Sequence, residues 1–213
     1  MKTKNMTIHF LVLFTMLFWG CDASVNRSIH VGDGESSHGL TSVNGSIHVG
    51  SRCQVEGSCR TVNGSIQVGD DSQVRDLDTV NGRISIAARV AVDGNAKTVN
   101  GSITCGNSSK IHGRLATVNG RIELNNTEVD EEISTVNGDI QLSAKSLVHG
   151  DIVIKGRHGR LFDHSHISIW IKEGSQVGGG IIVRDPDVDV KVYISKDSAV
   201  KGEIENAQAI GEY

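Results

Sequence analysis

The chain has 213 residues, with 25 glycines, one proline and 4% aromatics against 38% apolar and 22% charged residues. Glycine well below roughly one in three excludes collagen, and an apolar fraction rich in Val and Ile excludes an intrinsically disordered chain. No run of about 18 apolar residues marks a membrane-spanning helix, and a formal charge of −4 without a basic block argues against nucleic acid as a partner.

Residues 1–20 have the pattern of a targeting segment and are not expected to belong to the fold. Lys2 and Lys4 make a basic start, Phe10 to Trp19 form an apolar stretch too short to span a bilayer, and Gly20 and Cys21 follow. This order resembles a bacterial lipoprotein signal, which implies that Cys21 carries a lipid and becomes the new N-terminus. Simple secretion is the alternative. The implied address is the bacterial cell envelope: a periplasmic lipoprotein held to a membrane by its lipid, with inner or outer membrane left open. The segment holds two of the 21 lysines and arginines and none of the 25 acids, so the remainder carries a formal charge of −6. Residues 21–40 are expected to serve as anchor and N-terminal cap.

From there the chain repeats itself. The pattern Ser/Thr-Val-Asn-Gly-x-Ile-x-apolar recurs with its asparagines at Asn26, Asn44, Asn63, Asn81, Asn100, Asn119 and Asn137, spaced 18 or 19 residues apart. Gly follows each of them except Asn26, which Arg27 follows. Around Asn63, Val62, Ile66 and Val68 alternate with polar Ser65 and Gln67, as in a strand with one buried face. A second segment supplies Val74 and Leu77, with equivalents at Val92 and Ala96, Ile111 and Leu115, Val129 and Ile133, and Val148 and Ile152.

Two architectures accommodate this pattern. In a hairpin meander each Asn-Gly would be a type I′ turn. In a β-solenoid each repeat is one coil, stacked about 4.8 Å above the last. A coil must match its neighbours at every position, which suppresses insertions, and the near-constant period therefore favours the solenoid. The expected fold is all-β: a single-stranded, right-handed parallel β-solenoid (β-helix) with 18–19-residue coils. Asn44, Asn63, Asn81, Asn100, Asn119 and Asn137 would form a structural amide ladder along the axis. The adjacent glycine would supply a positive φ at the corner. Regular coils are expected over residues 41–155.

Residues 156–213 are expected to hold irregular coils, an insertion loop and a C-terminal cap. Val148-His-Gly-Asp-Ile152, Val177-Gly-Gly-Gly-Ile181 and Val200-Lys-Gly-Glu-Ile204 repeat a shorter form at wider spacing, with an insertion around Gly156–His166 and an alternating strand from Val188 to Ile194. Phe162, Trp170, Tyr193 and Tyr213 are the aromatics left beyond residue 20.

The Ser/Thr-Val-Asn-Gly-x-Ile motif and the Val-x-Gly-x-Ile echo resemble the adhesin-type β-solenoid repeat proteins of bacterial envelopes and, more distantly, the bactofilins. The resemblance covers roughly Ser24–Glu205. It implies a β-solenoid with an envelope role and carries no catalytic residues with it.

Candidate chemistry is sparse. Cys105 and Cys59 fall at inward positions, and Cys53 lies near a corner, where only a tight bend would let it reach Cys59 for a disulfide. His30 and His48 share an outward position in adjacent coils. His164 and His166 alternate beside Asp163, so these three are the candidate ligands of a divalent metal, against the plainer reading of a polar loop. The acidic run Glu128–Glu132 reads as a solvated turn. Outward residues vary without converging and no nucleophile elbow or phosphate loop occurs, so the expectation is a non-enzyme without cofactor. Its expected function is a structural scaffold or adhesion-like surface. Its expected partners are the membrane and an envelope polysaccharide or protein. The alternatives are a carbohydrate- or peptidoglycan-binding module built on the insertion with Trp170, and self-association into a polymer.

Overall fold

A computed structural model describes residues 22–156 and 166–211. Among these residues there is no helix, and three all-parallel sheets of ten, ten and nine strands run the length of the chain. Each coil contributes one strand to each sheet. In one coil, Cys59–Thr61 lies in the first sheet, Ile66–Val68 in the second and Gln73–Val74 in the third, and Leu77–Thr79 then begins the next rung. Leu77 sits directly over Cys59, and Ile84 over Ile66. The parallel pairing excludes the hairpin meander and makes the protein a β-solenoid of about nine turns with about 19 residues per coil. At strand spacing the rod is roughly 43 Å long.

The core is a column of aliphatic side chains, one layer per coil. Leu40, Ile47, Ile66, Leu77, Ile84, Ile103, Ile111, Leu115 and Ile122 are fully buried. One coil has no interior of its own, so each apolar residue is removed from water by the coils above and below. That burial is worth roughly 1.5–3 kcal/mol per large aliphatic side chain before entropy.

The motif packs differently from expectation at two of its positions. Within Cys59–Thr61 the alternation turns Cys59 and Thr61 inward, so the corner starts with Val62 facing solvent. Val43, Val62, Val80, Val99 and Val118 are each between 36% and 40% exposed, an apolar stripe along one edge of the rod. The buried threonine is useful because its hydroxyl donates to the corner carbonyl of the preceding coil: Thr61 to Gly45 (2.8 Å), Thr79 to Gly64 (2.8 Å), Thr98 to Gly82 (2.9 Å) and Thr117 to Gly101 (3.0 Å).

The corner glycine is needed for space, and a positive φ is not the reason for it. Among the described residues, the glycines with positive φ are Gly34 and Gly174. A Cβ on Gly82 would stand 2.0 Å from the carbonyl oxygen of Gly64, and one on Gly101 would stand 1.9 Å from that of Gly82. Each such Cβ points at the preceding coil. Arg27 is accommodated because it occupies the first such corner, and Gly45 stacks on its carbonyl from the other side. Left-handed backbone occurs instead at the corner between the second and third sheets. There Arg52, Asp71, Arg89, Ser108 and Lys145 carry φ between 56° and 63°, and Asn126 has φ 46°.

The regular spacing ends after Ile154. Ile140 pairs with Ile169, 29 residues on, where Ile103 and Ile122, and Ile122 and Ile140, pair at 19 and 18. Register is recovered at once: Val148, Val177 and Val200 stack in the third sheet despite their wider spacing. The second-sheet strands lengthen to six residues, His166–Ile171 and Asp189–Ile194.

Candidate functional site

The recurring asparagines form a continuous exposed ladder. Each side-chain amide donates to the carbonyl oxygen one coil below: Asn44 to Asn26, Asn63 to Asn44 and Asn81 to Asn63 at 2.8 Å, Asn100 to Asn81 at 2.9 Å, and Asn119 to Asn100 at 3.0 Å. Backbone bridging carries the column on to Asn137. The ladder is structural, and each interior amide both gives and receives. Beside it, Val43, Val62 and Val80 with Arg60 and Asp78 border a shallow groove of about 360 Å³.

The cysteines are thiols. Cys53, Cys59 and Cys105 are free and buried, and no disulfide joins Cys53 to Cys59. Burial pushes the Cys59 and Cys105 thiols up to about 12, which leaves them protonated and unreactive. Cys53 acts as a hydroxyl surrogate. Its Sγ donates to the carbonyl of Gly32 at 3.0 Å, as Ser72 Oγ does to Gly50 at 2.9 Å and Ser109 Oγ to Ala87 at 2.7 Å. This column of buried hydroxyls also accepts backbone N–H groups, Cys53 N to Ser72 and Val90 N to Ser109. The recurrence of Ser and Thr just before the third-sheet strands was the available signal for it.

Of the expected metal ligands, Asp163 and His164 lie outside the described residues, as does Cys21. His166 heads its strand with Nδ1 2.6 Å from Asp189 Oδ2, so it is committed to the next coil. His30 and His48 stack as expected, with ring centroids 4.7 Å apart and planes within 3°. Trp170 and Tyr193, in register on adjacent rungs, stack at 5.8 Å.

The densest charged constellation lies on the outer face of the third sheet, in the stretch where a solvated acidic turn was expected. Glu128–Val129 is a strand with Val129 buried, and Lys110–Ile111 and Leu147–Val148 flank it in register. Alternation turns Lys110 and His112 outward on one coil, Glu128 and Asp130 on the next and His149 on the third. Lys110 Nζ lies 3.0 Å from Glu128 Oε1 and 3.3 Å from Asp130 Oδ1. His149 Nε2 is 2.9 Å from Glu128 Oε1, and His112 Nδ1 is 2.8 Å from Asp130 Oδ2. The remaining acids of the run are paired as well, Glu131 with Arg114 and Glu132 with Lys155.

The electrostatics follow from these contacts. Hydrogen bonds from His149, then Lys110, hold the Glu128 carboxyl below its usual range. For Asp130, partial burial pushes upward, but hydrogen bonds from His112 and Lys110 outweigh it and the pKa falls. Lys110 is correspondingly raised, first by Glu128. Both carboxylates are therefore ionised at neutral pH. Among the described residues, Glu128, Asp130 and His149 are the one group of three or more such side chains whose donor atoms all lie within 4.8 Å of one another.

No family model matches the chain, and neither a curated protein nor a solved structure matches it. The β-solenoid repeat architecture thus rests on the chain's own geometry.

Proposed function

We propose that the protein is a non-catalytic, lipid-tethered β-solenoid of the bacterial envelope, of the adhesin type that its repeats resemble, serving as a scaffold or adhesive surface. The observation that carries this reading is the unbroken register of three parallel sheets. It makes a stiff rod whose edges repeat one chemistry, valine beside asparagine, from coil to coil. Such edges suit extended contacts, and the apolar stripe Val43–Val118 is the part of the rod that a partner could dehydrate with gain. The outward residues of the second sheet, Gln67, Ser85, Thr104, Glu123 and Gln141, vary along the axis without converging on a nucleophile or an acid–base pair, which favours a surface over an active centre. The address comes from Cys21 and the segment before it.

Labelling cells with a palmitate analogue, followed by membrane fractionation, tests the tether. Wild type should carry label and sediment with membranes, whereas Cys21→Ala should lose both; unchanged label in the variant removes the lipid anchor. The glycan-binding alternative is disfavoured by Trp170, whose ring spends one face on Tyr193 and so offers less of itself to a sugar. Retention on peptidoglycan sacculi that Trp170→Ala abolishes would reverse that preference. Light scattering should give a single monomer mass, and growth with concentration would favour end-to-end polymerisation.

A further inference from the structure

We propose that the third-sheet face carries a binding site for one divalent transition-metal ion of the zinc class, with His112, Glu128, Asp130 and His149 as ligands. The motivating observation is convergence from three consecutive coils. His112, Asp130 and His149 follow stacked strands in register, forming a His–Asp–His column, and Glu128 stands one pleat before Asp130. The contacts His112 Nδ1–Asp130 Oδ2, His149 Nε2–Glu128 Oε1 and His149 Nε2–Asp130 Oδ1 measure 2.8, 2.9 and 4.0 Å. Ligand atoms about 2.1 Å from a tetrahedral ion lie about 3.4 Å from one another, and the contacts fall on either side of that value. Glu128, Asp130 and His149 have their donor atoms within 4.8 Å of one another, and His112 reaches the group through Asp130. Two imidazoles and two carboxylates are a donor set that zinc accepts, and rigid strands hold their backbones.

Lys110 marks where positive charge belongs. Its ammonium bridges Glu128 and Asp130, yet two carboxylates facing one ammonium leave a local excess of negative charge. A divalent ion placed among the four donors would neutralise both carboxylates and use ring nitrogens that an ammonium cannot. Lys110, on its flexible four-carbon stem, would swing out to solvent. This site is distinct from the Asp163, His164 and His166 trio, since His166 is paired with Asp189 on the second sheet.

The test is isothermal titration of chelator-treated, purified full-length protein with zinc chloride, in a background carrying His164→Ala and His166→Ala. One ion per chain should bind with micromolar affinity. His149→Ala and Asp130→Asn should each weaken binding by about tenfold or more, and Lys110→Met, which removes the competing cation, should bind as tightly as the background or more tightly. Thermal unfolding in the presence of chelator should show that the variants fold like their parent. Zinc affinity unchanged in both His149→Ala and Asp130→Asn, or no heat in the background protein at zinc concentrations up to about 100 μM, would overturn the assignment. Neither outcome bears on the lipid tether, which is read from Cys21 alone.

Discussion

Two corners of the same coil solve the same problem in opposite ways. At the Asn-Gly corners between the first and second sheets the backbone keeps ordinary dihedral angles but runs so close to the preceding coil that a side chain cannot fit. Between the second and third sheets Arg52 and its equivalents have room for a side chain, but their backbone enters the left-handed region. The first corner therefore demands one residue, and Gly82, Gly101 and Gly120 supply it. The second tolerates Arg52, Asp71, Ser108 and Asn126 alike, at a conformational cost. Crowding selects a residue identity, whereas strain of modest size selects only weakly.

The comparison breaks most visibly at the crowded corner. Gly101→Ala would place a Cβ 1.9 Å from the Gly82 carbonyl oxygen, a contact that only a shift of one coil against the next can relieve. Destabilisation of about 2–4 kcal/mol is expected, at the upper end for overpacking, read by chemical denaturation. An alanine tolerated at Gly101 with less than about 1 kcal/mol lost would show that the coils are not packed this tightly.

The threonine before the corner offers the next largest effect. Thr98→Val preserves shape but strands the Gly82 carbonyl without its 2.9 Å hydrogen bond, which should cost about 1–3 kcal/mol. Thr135 is the control. Its buried Oγ1 has no hydrogen-bond partner, so Thr135→Val should be neutral or stabilising. Equal losses in the two variants would show that the hydroxyls do not strap the corner. A smaller effect is expected at Asn81, which gives to Asn63 and receives from Asn100. Asn81→Ala should lose about 1 kcal/mol, and Asn26→Ala, with one bond to Asn44, about half of that.

The fold was legible because a stacked coil writes its constraints into the sequence once per rung. Asn44 to Asn137 announced the period, and Ile66, Val74 and Leu77 announced the buried faces. Val62 was misread as inward because it sits one residue past a strand too short to show where alternation stops; the inward residue is Thr61, a polar type whose burial depends on a carbonyl in another coil. The left-handed corner was invisible, since Arg52 and Asp71 share no chemistry that a sequence pattern could register. The charged cluster was invisible for a related reason. Lys110, Glu128 and His149 lie 18 to 21 residues apart and meet only once the register of three coils is known. Read along the chain, Glu128–Glu132 is an acidic run; across the coils it is a set of paired charges.

The subtlest probe of the comparison lies at the permissive corner, where the change should run the other way. Arg52 holds φ at 56° and is exposed. A left-handed conformation costs a non-glycine residue about 1–2 kcal/mol, and glycine adopts it freely. Glycine also gives the unfolded chain more entropy, worth about 0.5–1 kcal/mol, which offsets part of the relief. Arg52→Gly should therefore stabilise the protein by a few tenths of a kcal/mol to about 1 kcal/mol, seen as a small rise in Tm. Arg89, at the equivalent place with φ 57°, also grips Asp71 through Nε and Nη2 at 2.6 and 2.8 Å. Arg89→Gly should gain less than Arg52→Gly or lose stability, because backbone relief is set against a broken bidentate pair. If the two variants shift Tm alike, the ion pair contributes nothing measurable and backbone conformation alone governs this corner; if Arg52→Gly destabilises, the left-handed turn carries no strain to relieve, and the contrast with the crowded corner fails.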